Sequence, residues 1–406
     1  MKILMVSEDL PGAQIGGLGK HVVTLSNALL ARGHEVAILG RNDDGLEGCA
    51  EQIGFGGRFI AAFDYDHPGW KELQLGVFNP LKRPWFARKI ARAIARHARP
   101  FHVVHYHGHL PMVGLHVDAA VNFVQTRHDQ GSECLTHLRF RGDAVCDSVA
   151  PRDCAGCIRA HAGPLRQSVS ALAVNRYRGQ SAAAFAARKT VFVSEFLRRQ
   201  FQRAVPHADL ARSAVLHNFV DADRLARAAA ERGADPEPGA ILLVGRVDAG
   251  KGFGEFLAEA APRLPAGVRV TIAGDGPQRA HLERAHGGAR VQFPGWLDYA
   301  DVIRRAARSH LCVVPSVCEE ACSTTVLEAL ALGRQCVALA RGGTPELLRY
   351  QGWDGQLRLA GTMRELVDIT LALATRAPVR AAPAAPFGAD AARALPTLLE
   401  LYAQRT

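Results

Sequence analysis

The strongest constraint on the fold is a strand, a glycine-rich loop and a helix that follow one another near the start of the chain. Residues 2–7 form a short apolar run, which predicts a buried strand. Apolar residues at helical spacing then run up to Gly33, and residues 34–39 return as a second strand. The loop between the first strand and the helix carries Gly12, Gly16, Gly17 and Gly19. This order predicts a doubly wound α/β domain with a parallel sheet.

The same pattern restarts in the second half of the chain. Residues 240–244 and 269–273 are predicted strands, with a helix over about 254–261 between them. Residues 221–238 are charged and contain proline and alanine, a composition typical of an interdomain linker. Further strands are predicted at 101–105, 119–125, 190–193, 214–216, 291–293, 310–315 and 335–340, and further helices at about 85–97 and 172–188.

A length of 406 residues is too great for one ordinary domain. We predict two Rossmann-like domains, 1–218 and 219–406, that face each other across a cleft. A last helix over about 391–402 is expected to pack back on the first domain. The first domain is expected to carry a polar insertion over about 129–161.

The net charge of +10 favours anionic partners, although arginine-rich, high-GC genomes drift to the same composition. Phosphorylated small molecules and anionic membrane lipids are candidates. Nucleic acid is not expected, because the sequence has no zinc-finger, RNA-recognition or helix-turn-helix signature. No apolar run is long enough to span a bilayer, and the amino terminus turns acidic after a short apolar run. The expected location is therefore the cytoplasm, with peripheral contact at the inner face of the membrane as an option.

The segment 245–252 carries the clearest chemical signal. A strand ends in glycine, and Arg246 and Lys251 lie five positions apart in the loop before a helix. A guanidinium, an ammonium and the amides of a helix amino end together suit a diphosphate. Taken alone, the segment could equally be a surface loop.

Three further features follow in order. Gly274 and Gly276 form a turn at a strand end, where the backbone can approach a ligand closely. Residues 293–296 read Phe-Pro-Gly-Trp. Glu320 lies in the loop after the next strand and Glu328 in the helix beyond it, and both carboxylates can accept hydrogen bonds from sugar hydroxyls.

This series resembles the retaining glycosyltransferases of group 1, or family 4, which have the two-Rossmann-domain GT-B fold. The resemblance covers nearly the whole chain and is strongest in the second half. It implies that Arg246 and Lys251 bind the donor diphosphate. It also implies that Glu320 faces the donor sugar and Glu328 the ribose.

The resemblance extends to the first half. It implies that His107 lies near the transferred sugar, that His128 and Asp129 lie on the acceptor side, and that Asn218 precedes the linker. The catalytic set is then Arg246, Lys251, Glu320 and His107. The remaining residues expected against the donor are Gly16, Gly17, Gly274, Gly276, Pro294, Gly295, Trp296, Cys322, Ser323 and Thr324.

Two positions depart from the family pattern. After the first glutamate the family usually has an aromatic residue and glycine, whereas this chain has Cys322 and Ser323. The departure puts donor-sugar specificity, and activity itself, in question. The usual asparagine–glycine pair is here Asn218-Phe219, which concerns only the hinge path.

The resemblance predicts retaining transfer of a sugar from a UDP- or GDP-sugar to a saccharide or lipid-linked acceptor, without a catalytic metal. Three alternatives stay open: a non-catalytic nucleotide-sugar-binding protein, a nucleotide-sugar epimerase and a sugar phosphorylase.

Two other clusters contain side chains of the kinds that bind metal ions. His105, His107 and His109 alternate along one strand, but we favour a functional His107 and a structural His105 over a metal site. Four of the nine cysteines lie in the insertion, and four thiolates are the ligand number of a structural zinc site. These are Cys134, Cys146, Cys154 and Cys157. A redox pair at Cys154 and Cys157, or four unconnected thiols, are the alternatives.

The remaining cysteines are scattered and are predicted to be small buried hydrophobes. They are Cys49, Cys312, Cys318, Cys322 and Cys336. Residues 82–99 form a basic amphipathic helix candidate, with Phe86, Ile90 and Ile94 on one face. It is either a surface helix packed on the first domain or a contact with an anionic membrane.

Overall fold

The computed structural model describes residues 1–10, 16–41, 50, 53–63, 82–158, 163–230, 235–379 and 386–404. Gly12, Cys49 and residues 159–161 of the predicted insertion lie outside the described residues. The chain divides into two compact units. One contains Met1–Arg141, Cys146–His217 and Ala391–Thr406, and the other contains Gly142–Val145 and Asn218–Asp390. Within the described ranges, no helix has the length and apolar character needed to cross a membrane.

The first unit is built on one parallel sheet. The strands up to residue 215 are β1 (Lys2–Ser7), β2 (Glu35–Arg41), β3 (Arg58–Phe63), β4 (Val103–His107), β5 (Phe123–Arg127), the short β6 (Phe140–Arg141) and β7 (Ala144–Val145), β8 (Lys189–Phe192) and β9 (Ser213–Val215). Seven of them pair in the order β3-β2-β1-β4-β5-β8-β9. Every neighbouring pair in this sheet is parallel.

The second unit repeats the architecture with six strands. They are β10 (Glu237–Val244), β11 (Arg269–Ala273), β12 (Val291–Gly295), β13 (Ser309–Val314), β14 (Gln335–Leu339) and β15 (Leu357–Ala360). They pair in the order β12-β11-β10-β13-β14-β15, and all pairs are parallel. The two parallel α/β sheets confirm the predicted fold class.

Helices cover both sheets. The described α-helices are α1 (Gly17–Ala31), α2 (Arg83–His97), α3 (Pro151–Ile158), α4 (Pro164–Ala187), α5 (Glu195–Ala204), α6 (Ala222–Ala230), α7 (Phe253–Ala260), α8 (Arg279–His286), α9 (Tyr299–Arg308), α10 (Thr324–Ala331), α11 (Met363–Ala374) and α12 (Ala391–Ala403). Successive residues of β1, such as Leu4 and Met5, are both fully buried. Because alternate residues of a strand point to opposite faces, β1 must be covered on both sides, which explains its unbroken apolar sequence.

Each sheet has one point where the strand order reverses. In the first unit it lies between β1 and β4, and in the second between β10 and β13. In open α/β sheets, ligands bind beyond the carboxyl ends of the strands at this point. The loops after β1, β4, β10 and β13 are therefore the expected ligand-binding loops.

The final helix, α12, belongs to the first unit. Tyr402 on α12 has its hydroxyl 2.6 Å from Nδ1 of His105 on β4. The ammonium of Lys189 on β8 donates to the carbonyl oxygen of Leu401 at 2.8 Å. These polar contacts fix the end of α12 to two strands of the sheet.

The predicted linker is wrong as a description of residues 221–238. Its described part contains α6, and β10 begins at Glu237. Alanine and arginine are strong helix formers, and Leu225 is buried, so a composition that resembled a linker encodes a packed helix. The sequence patterns also did not predict β3, β15, α5, α8, α9 or α11, and the predicted start of α4 is eight residues too late.

Candidate functional site

The loop after β10 is shaped by a short 3-10 turn, Ala249–Lys251, which orients Lys251. The carboxylate of Asp248 accepts a hydrogen bond from the Lys251 backbone N–H at 3.2 Å and so begins the turn. Gly252 then adopts φ +68°, and a Cβ there would lie 2.1 Å from the Pro315 carbonyl oxygen. Only glycine fits this position, which brings the loops after β10 and β13 into contact.

Lys251 is held by the loop after β13. Its Nζ donates to Oε1 of Glu320 at 2.5 Å, and the Ser316 hydroxyl donates to the same oxygen at 2.7 Å. Burial lowers the pKa of Lys251, but the Glu320 carboxylate outweighs it and the net shift is upwards. Burial raises the pKa of Glu320, but Lys251 and Ser316 bring it below its ordinary value. Both groups are therefore charged at neutral pH, at the point where the strand order reverses.

Arg246, the other predicted diphosphate ligand, has a different environment. Its side chain is 69% exposed, and its Nε lies 3.4 Å from Oδ2 of Asp248. An exposed ion pair of this kind contributes little stability and can exchange readily for a ligand phosphate. The Asp248 carboxylate therefore contacts both predicted cations: it pairs with the Arg246 guanidinium and accepts a hydrogen bond from the Lys251 backbone N–H.

The glycine turn after β11 packs directly against the loop after β10. Gly274 has φ +149°, and a Cβ at this position would lie 1.9 Å from the Gly245 carbonyl oxygen. A Cβ on Gly276 would lie 2.4 Å from the Val247 carbonyl oxygen. Both glycines are required for the close backbone packing beside the cationic loop. This packing explains why glycine occupies the two positions, whether or not a ligand also lies there.

The segment 293–296 ends the neighbouring strand. Pro294 and Gly295 are the last residues of β12, and the Gly274 N–H donates to the Gly295 carbonyl at 2.9 Å. Trp296 follows with 44% of its surface exposed. A large exposed aromatic side chain at the carboxyl edge of a sheet can stack on a ring of a ligand.

Glu328 lies on α10 and is almost fully buried. The hydroxyl of Tyr299, the first residue of α9, is hydrogen-bonded to the Glu328 carboxylate. Burial, the negative charge of Glu328 and this hydrogen bond together raise the pKa of Tyr299, so the phenol stays protonated and donates. The two predicted glutamates therefore have different partners: Glu320 pairs with Lys251, and Glu328 is hydrogen-bonded to Tyr299.

The two residues that depart from the family pattern lie at the start of α10. Cys322 is buried, and its carbonyl oxygen accepts a hydrogen bond from Nδ2 of Asn218 at 2.9 Å. Ser323 precedes α10, and its side chain makes no capping hydrogen bond; Thr324 is the first residue of the helix. The Asn218 contact fixes the peptide that leads into the amino end of α10. Asn218 thus acts on this segment, in addition to its predicted place before α6.

The first unit gathers histidines at the carboxyl ends of β4 and β5. Nδ1 of His107 lies 3.0 Å from Nε2 of His128, and the ring centroids of His21 and His128 are 4.7 Å apart. Burial lowers the pKa of His21 to about 3 and lowers those of His107 and His128 well below the ordinary value. The three rings are therefore neutral at physiological pH.

Asp129 is at the centre of a second histidine group. Its Oδ2 is 2.6 Å from Nδ1 of His109 and 3.2 Å from Nδ1 of His137. Burial raises the pKa of Asp129, but His137 and His109 lower it more, and the net value is well below the ordinary one. The carboxylate is thus ionised and orients both imidazoles.

His105 has a structural environment, as the sequence analysis favoured. Its Nδ1 faces the Tyr402 hydroxyl, and its Nε2 lies 2.8 Å from Oγ1 of Thr126. Both ring nitrogens are therefore occupied within the core. The predicted Gly16 and Gly17 lie at the amino end of α1, where no side chain caps the first turn.

Several residues of the two sites were not predicted. Glu8 directly follows β1, and both its carboxylate oxygens are used: Oε1 accepts from the Tyr106 hydroxyl and Oε2 from the His109 backbone N–H. An acidic residue at the end of an apolar strand was the available signal for Glu8. Ser316 lies four residues before Glu320 in the same predicted loop, and His137 lies in the predicted insertion, but neither was singled out. His21 and Tyr299 come from segments that carried no motif.

Two groups in the described part of the chain have three ligand atoms within 4.8 Å of one another, as a metal ion would require: His21–His107–His128 and His109–Asp129–His137. Neither corresponds to the alternating set His105, His107 and His109 that the sequence raised and set aside.

The fold and these sites define a class. Two parallel sheets of Rossmann order, one with a cationic loop, paired carboxylates and glycine turns at its switch point, are the architecture of a GT-B glycosyltransferase. A family model described as "Glycosyltransferase Family 4" matches residues 15–224, and one described as "Glycosyl transferases group 1" matches residues 238–376. The chain belongs to glycosyltransferase family 4.

Similar proteins agree with this assignment. A glycogen synthase of Mycobacterium tuberculosis is 29% identical over 395 residues, covering 92% of this chain and 85% of its own. Among solved structures, Anabaena HepE in complex with UDP and glucose superposes with a TM-score of 0.61 at 16% identity over 98% of both chains. Sucrose-phosphate synthase from Thermosynechococcus elongatus gives a TM-score of 0.61 at 20% identity over 92% of this chain and 91% of its own.

Proposed function

We propose that this glycosyltransferase moves a sugar from a nucleoside-diphosphate sugar to a hydroxyl of a saccharide or lipid-linked glycan, with retention of anomeric configuration. The observation that carries the proposal is the charged Lys251–Glu320 pair with Ser316 at the β10/β13 switch point. A fixed ammonium at this position can stabilise the negative charge that develops on a leaving nucleoside diphosphate. The presence of UDP in the similar HepE structure supports a nucleotide donor.

Each donor-side group has a role in this scheme. Lys251 and the exposed Arg246 bind the diphosphate, with Arg246 exchanging Asp248 for phosphate oxygens. Glu320 accepts hydrogen bonds from the sugar hydroxyls, and Glu328, oriented by Tyr299, accepts those of the ribose. Gly274, Gly276, Pro294, Gly295 and Trp296 border the nucleotide, and Cys322, Ser323 and Thr324 present the amino end of α10 to the sugar.

The first unit supplies the acceptor side. His107 is neutral and buried, so it can hydrogen-bond the transferred sugar without placing a positive charge beside an oxocarbenium-like centre. His128 and the ionised Asp129 orient the acceptor hydroxyl, and the amino end of α1 at Gly16 and Gly17 faces the donor. No enzyme nucleophile is assigned, and Arg246 and Lys251 take the role that a divalent metal has in other transferases.

A lipid-linked acceptor would lie at an anionic membrane surface, and α2 fits such a surface. Its basic residues include Arg88, Lys89, Arg92 and Arg96, and Trp85 at its start is 55% exposed. An exposed tryptophan beside cationic side chains is typical of helices that lie at a lipid interface. Binding of the protein to vesicles with and without anionic lipid tests this part alone.

The test of donor binding is thermal stabilisation of the full chain by UDP, GDP, ADP and their sugars. One nucleotide should raise the melting temperature, and Lys251→Ala and Arg246→Ala should abolish or reduce the rise. Arg263→Ala is the matched control, because Arg263 is also an exposed arginine paired with an aspartate in the same unit. Stabilisation by no nucleotide would overturn the donor site.

Product analysis with the nucleotide sugar so identified separates the enzymatic alternatives. Transfer to an acceptor supports the proposal, and retained anomeric configuration in the product supports its stereochemical part. Conversion to an epimeric nucleotide sugar would favour an epimerase. Binding without transfer or hydrolysis would favour a non-catalytic binding protein, the reading that the Cys322–Ser323 departure keeps open.

A further inference from the structure

The segment between β5 and α4 holds four cysteines that the transfer scheme does not use. Cys134, Cys146, Cys154 and Cys157 are all half-buried free thiols. Cys154 and Cys157 are three residues apart on α3, so they share one side of that helix.

A buried arginine connects the chain near three of these thiols. Arg178 on α4 is 4% exposed. Its guanidinium donates to the Glu133 carbonyl at 3.0 Å, to the Val149 carbonyl at 2.6 Å and to Sγ of Cys154 at 3.2 Å. The first carbonyl precedes Cys134, and the second lies three residues after Cys146. One side chain therefore fixes the backbone around the cluster and contacts one sulfur directly.

A second buried arginine does the same for Cys146. The Arg139 side chain, almost fully buried, donates through Nη2 to the Cys146 carbonyl at 3.0 Å and to the Ser148 carbonyl at 3.2 Å. His137, Arg139 and Asp143 have positive φ and are the non-glycine residues with this conformation in the described structure. All three lie between Cys134 and Cys146. Such conformations are unfavourable for L-residues and persist where surrounding structure fixes them, often at ligand sites.

The two guanidiniums carry more positive charge than the nearby carboxylate can balance. Among the described residues, Arg139 and Arg178 form no ion pair within 4.0 Å, and their hydrogen bonds go to carbonyls and a sulfur. The buried Glu133 carboxylate interacts with both arginines, but it carries at most one negative charge. Buried cations are costly unless enough negative charge lies nearby, and four thiolates around a divalent ion carry a net charge of −2 that would supply it.

We propose that Cys134, Cys146, Cys154 and Cys157 bind one structural zinc ion, with Arg178 and Arg139 as its hydrogen-bonding and charge-balancing neighbours. Four thiolates in a closed tetrahedral set are the ligands of structural zinc, and surrounding hydrogen bonds fix such ligands. In the described structure no three of the sulfurs lie within 4.8 Å of one another, so zinc binding requires the four thiols to move closer together. Each thiol releases a proton to solvent as it binds, and no electron is transferred.

The site has a structural role. It joins the loop after β5 to α3, and α3 packs along α4. Since Asp129 and His137 flank the start of this segment, loss of zinc should loosen the second histidine group without touching the loops of the second unit. Donor binding and zinc binding can therefore fail independently of each other.

The test uses the full chain, purified with a thiol reductant and without chelators. Elemental analysis should find one zinc ion per chain, and a mercurial that titrates thiols should release it to a chromogenic chelator. Cys154→Ser and Cys157→Ser should each lower the zinc content severalfold. Cys336→Ala, a buried thiol in the second unit, is the control and should retain the full content.

Four results would overturn the proposal: a chain without zinc after growth in zinc-supplemented medium, an iron–sulfur absorption spectrum, a Cys154–Cys157 disulfide in the protein as isolated, or zinc that is released before the thiols react. If the cysteine variants do not fold, the mercurial titration of the wild-type chain still decides. Zinc release that is complete before thiols are modified would show adventitious metal. Arg178→Met should lower zinc retention under chelator challenge more than Arg176→Met, an exposed arginine on the same helix.

Discussion

Lys251 and Glu320 are the residue pair on which the proposed donor site depends. Their ammonium and carboxylate groups neutralise each other, so the pair carries little excess charge. An incoming diphosphate brings negative charge to Lys251 and leaves Glu320 able to accept from sugar hydroxyls. At the residue scale, the proposed donor binding depends on cations whose carboxylate partners a phosphate can replace. The hydrogen bonds of Glu328 with Tyr299 and of His105 with its core partners are not expected to be replaced by a ligand.

Tyr299 is the clearest positioning residue. Its hydroxyl donates to Glu328, so Tyr299→Phe should leave a buried carboxylate with one hydrogen-bond donor fewer. The carboxylate is then no longer held in position for the ribose, and UDP should bind about five- to thirtyfold more weakly, which corresponds to about 1–2 kcal/mol. Pyrophosphate, which has no ribose, should bind unchanged.

Calorimetric titration of both ligands measures the effect. Tyr350→Phe serves as the control, because Tyr350 is in the same unit and packs against Phe387. Equal weakening of UDP and pyrophosphate would show that Tyr299 acts on the phosphate loop and not through Glu328.

His105 makes stability depend on pH. Burial, with a smaller contribution from His21, lowers its pKa to about 3, whereas an unfolded histidine titrates near 6.5. The native state therefore binds fewer protons below pH 6.5, and the stability from the neutral ring is lost as the pH falls below that value. The advantage of wild type over His105→Gln in unfolding free energy should shrink by about 1.4 kcal/mol between pH 7.5 and 5.5.

Urea denaturation of both proteins at the two pH values gives this difference, and titrations elsewhere in the chain largely cancel in it. A difference that is constant with pH would mean that His105 is not buried as a neutral ring.

At the scale of elements, the final helix is held by polar contacts at its carboxyl end. Lys189 donates to Asn122, to the Leu401 carbonyl and to the Gln404 carbonyl. The last carbonyls of a helix have no partner within it, and a buried cation can satisfy them. Lys189→Met should destabilise the first unit by about 2–3 kcal/mol.

Hydrogen exchange of peptides from 391–404 should increase most in this variant, since the helix end loses its contact with β8. Lys2→Met is the control: Lys2 is exposed and paired with Glu35, and its loss should cost below about 1 kcal/mol. Unchanged exchange of α12 in Lys189→Met would show that the other contacts of the helix, such as that between Tyr402 and His105, fix it without Lys189.

Whether an element could be predicted from the sequence depends on how it is buried. The strand Lys2–Ser7 could be predicted to the residue, because both of its faces are buried and Ile3 to Val6 are an unbroken apolar run. β3 could not, since it lies at the edge of its sheet and has partly exposed residues. α6 was missed because its composition resembled that of a linker, and packing on α9 was not visible in the sequence.

Some residues of the candidate site could likewise be predicted from the sequence, and others could not. Lys251, Glu320 and Glu328 could be named from the order of motifs along the chain. Their partners could not, because Ser316 and Tyr299 come from segments whose side-chain directions depend on the fold. His21 joins His107 and His128 only because α1 follows the β1 switch-point loop. The pairing of Asp129 with His109 and His137 likewise needed the coordinates.

At the scale of the whole molecule, the predicted residues fall into two sets, and each set lies in a different unit. The loops predicted to bind phosphate and both glutamates belong to the second unit, and the histidines belong to the first. The nucleotide part of the donor should therefore act on the second unit alone. His107 was predicted to lie near the transferred sugar, so the sugar part of the donor should also affect the first unit.

Hydrogen–deuterium exchange with and without ligand tests this division. UDP should protect peptides from 245–252, 274–277 and 316–328, because bound phosphates and ribose restrict the loops that carry Lys251, Glu320 and Glu328. The matching UDP-sugar should give the same protection and add slower exchange in peptides from 103–109 and 127–137. If another nucleotide stabilises the chain, that nucleotide and its sugar replace the UDP pair.

A His107→Ala variant is the decisive comparison. It should keep the protection of the second unit with either ligand and lose the extra protection that the sugar gives, because the contact to the sugar is removed and the loops of the second unit are unchanged. Identical exchange with the nucleotide and the nucleotide sugar in the wild-type chain would contradict the role of His107. Protection of the first unit by the nucleotide alone would instead place the diphosphate near Gly16 and Gly17, and the histidine set would then serve the phosphates and not the sugar.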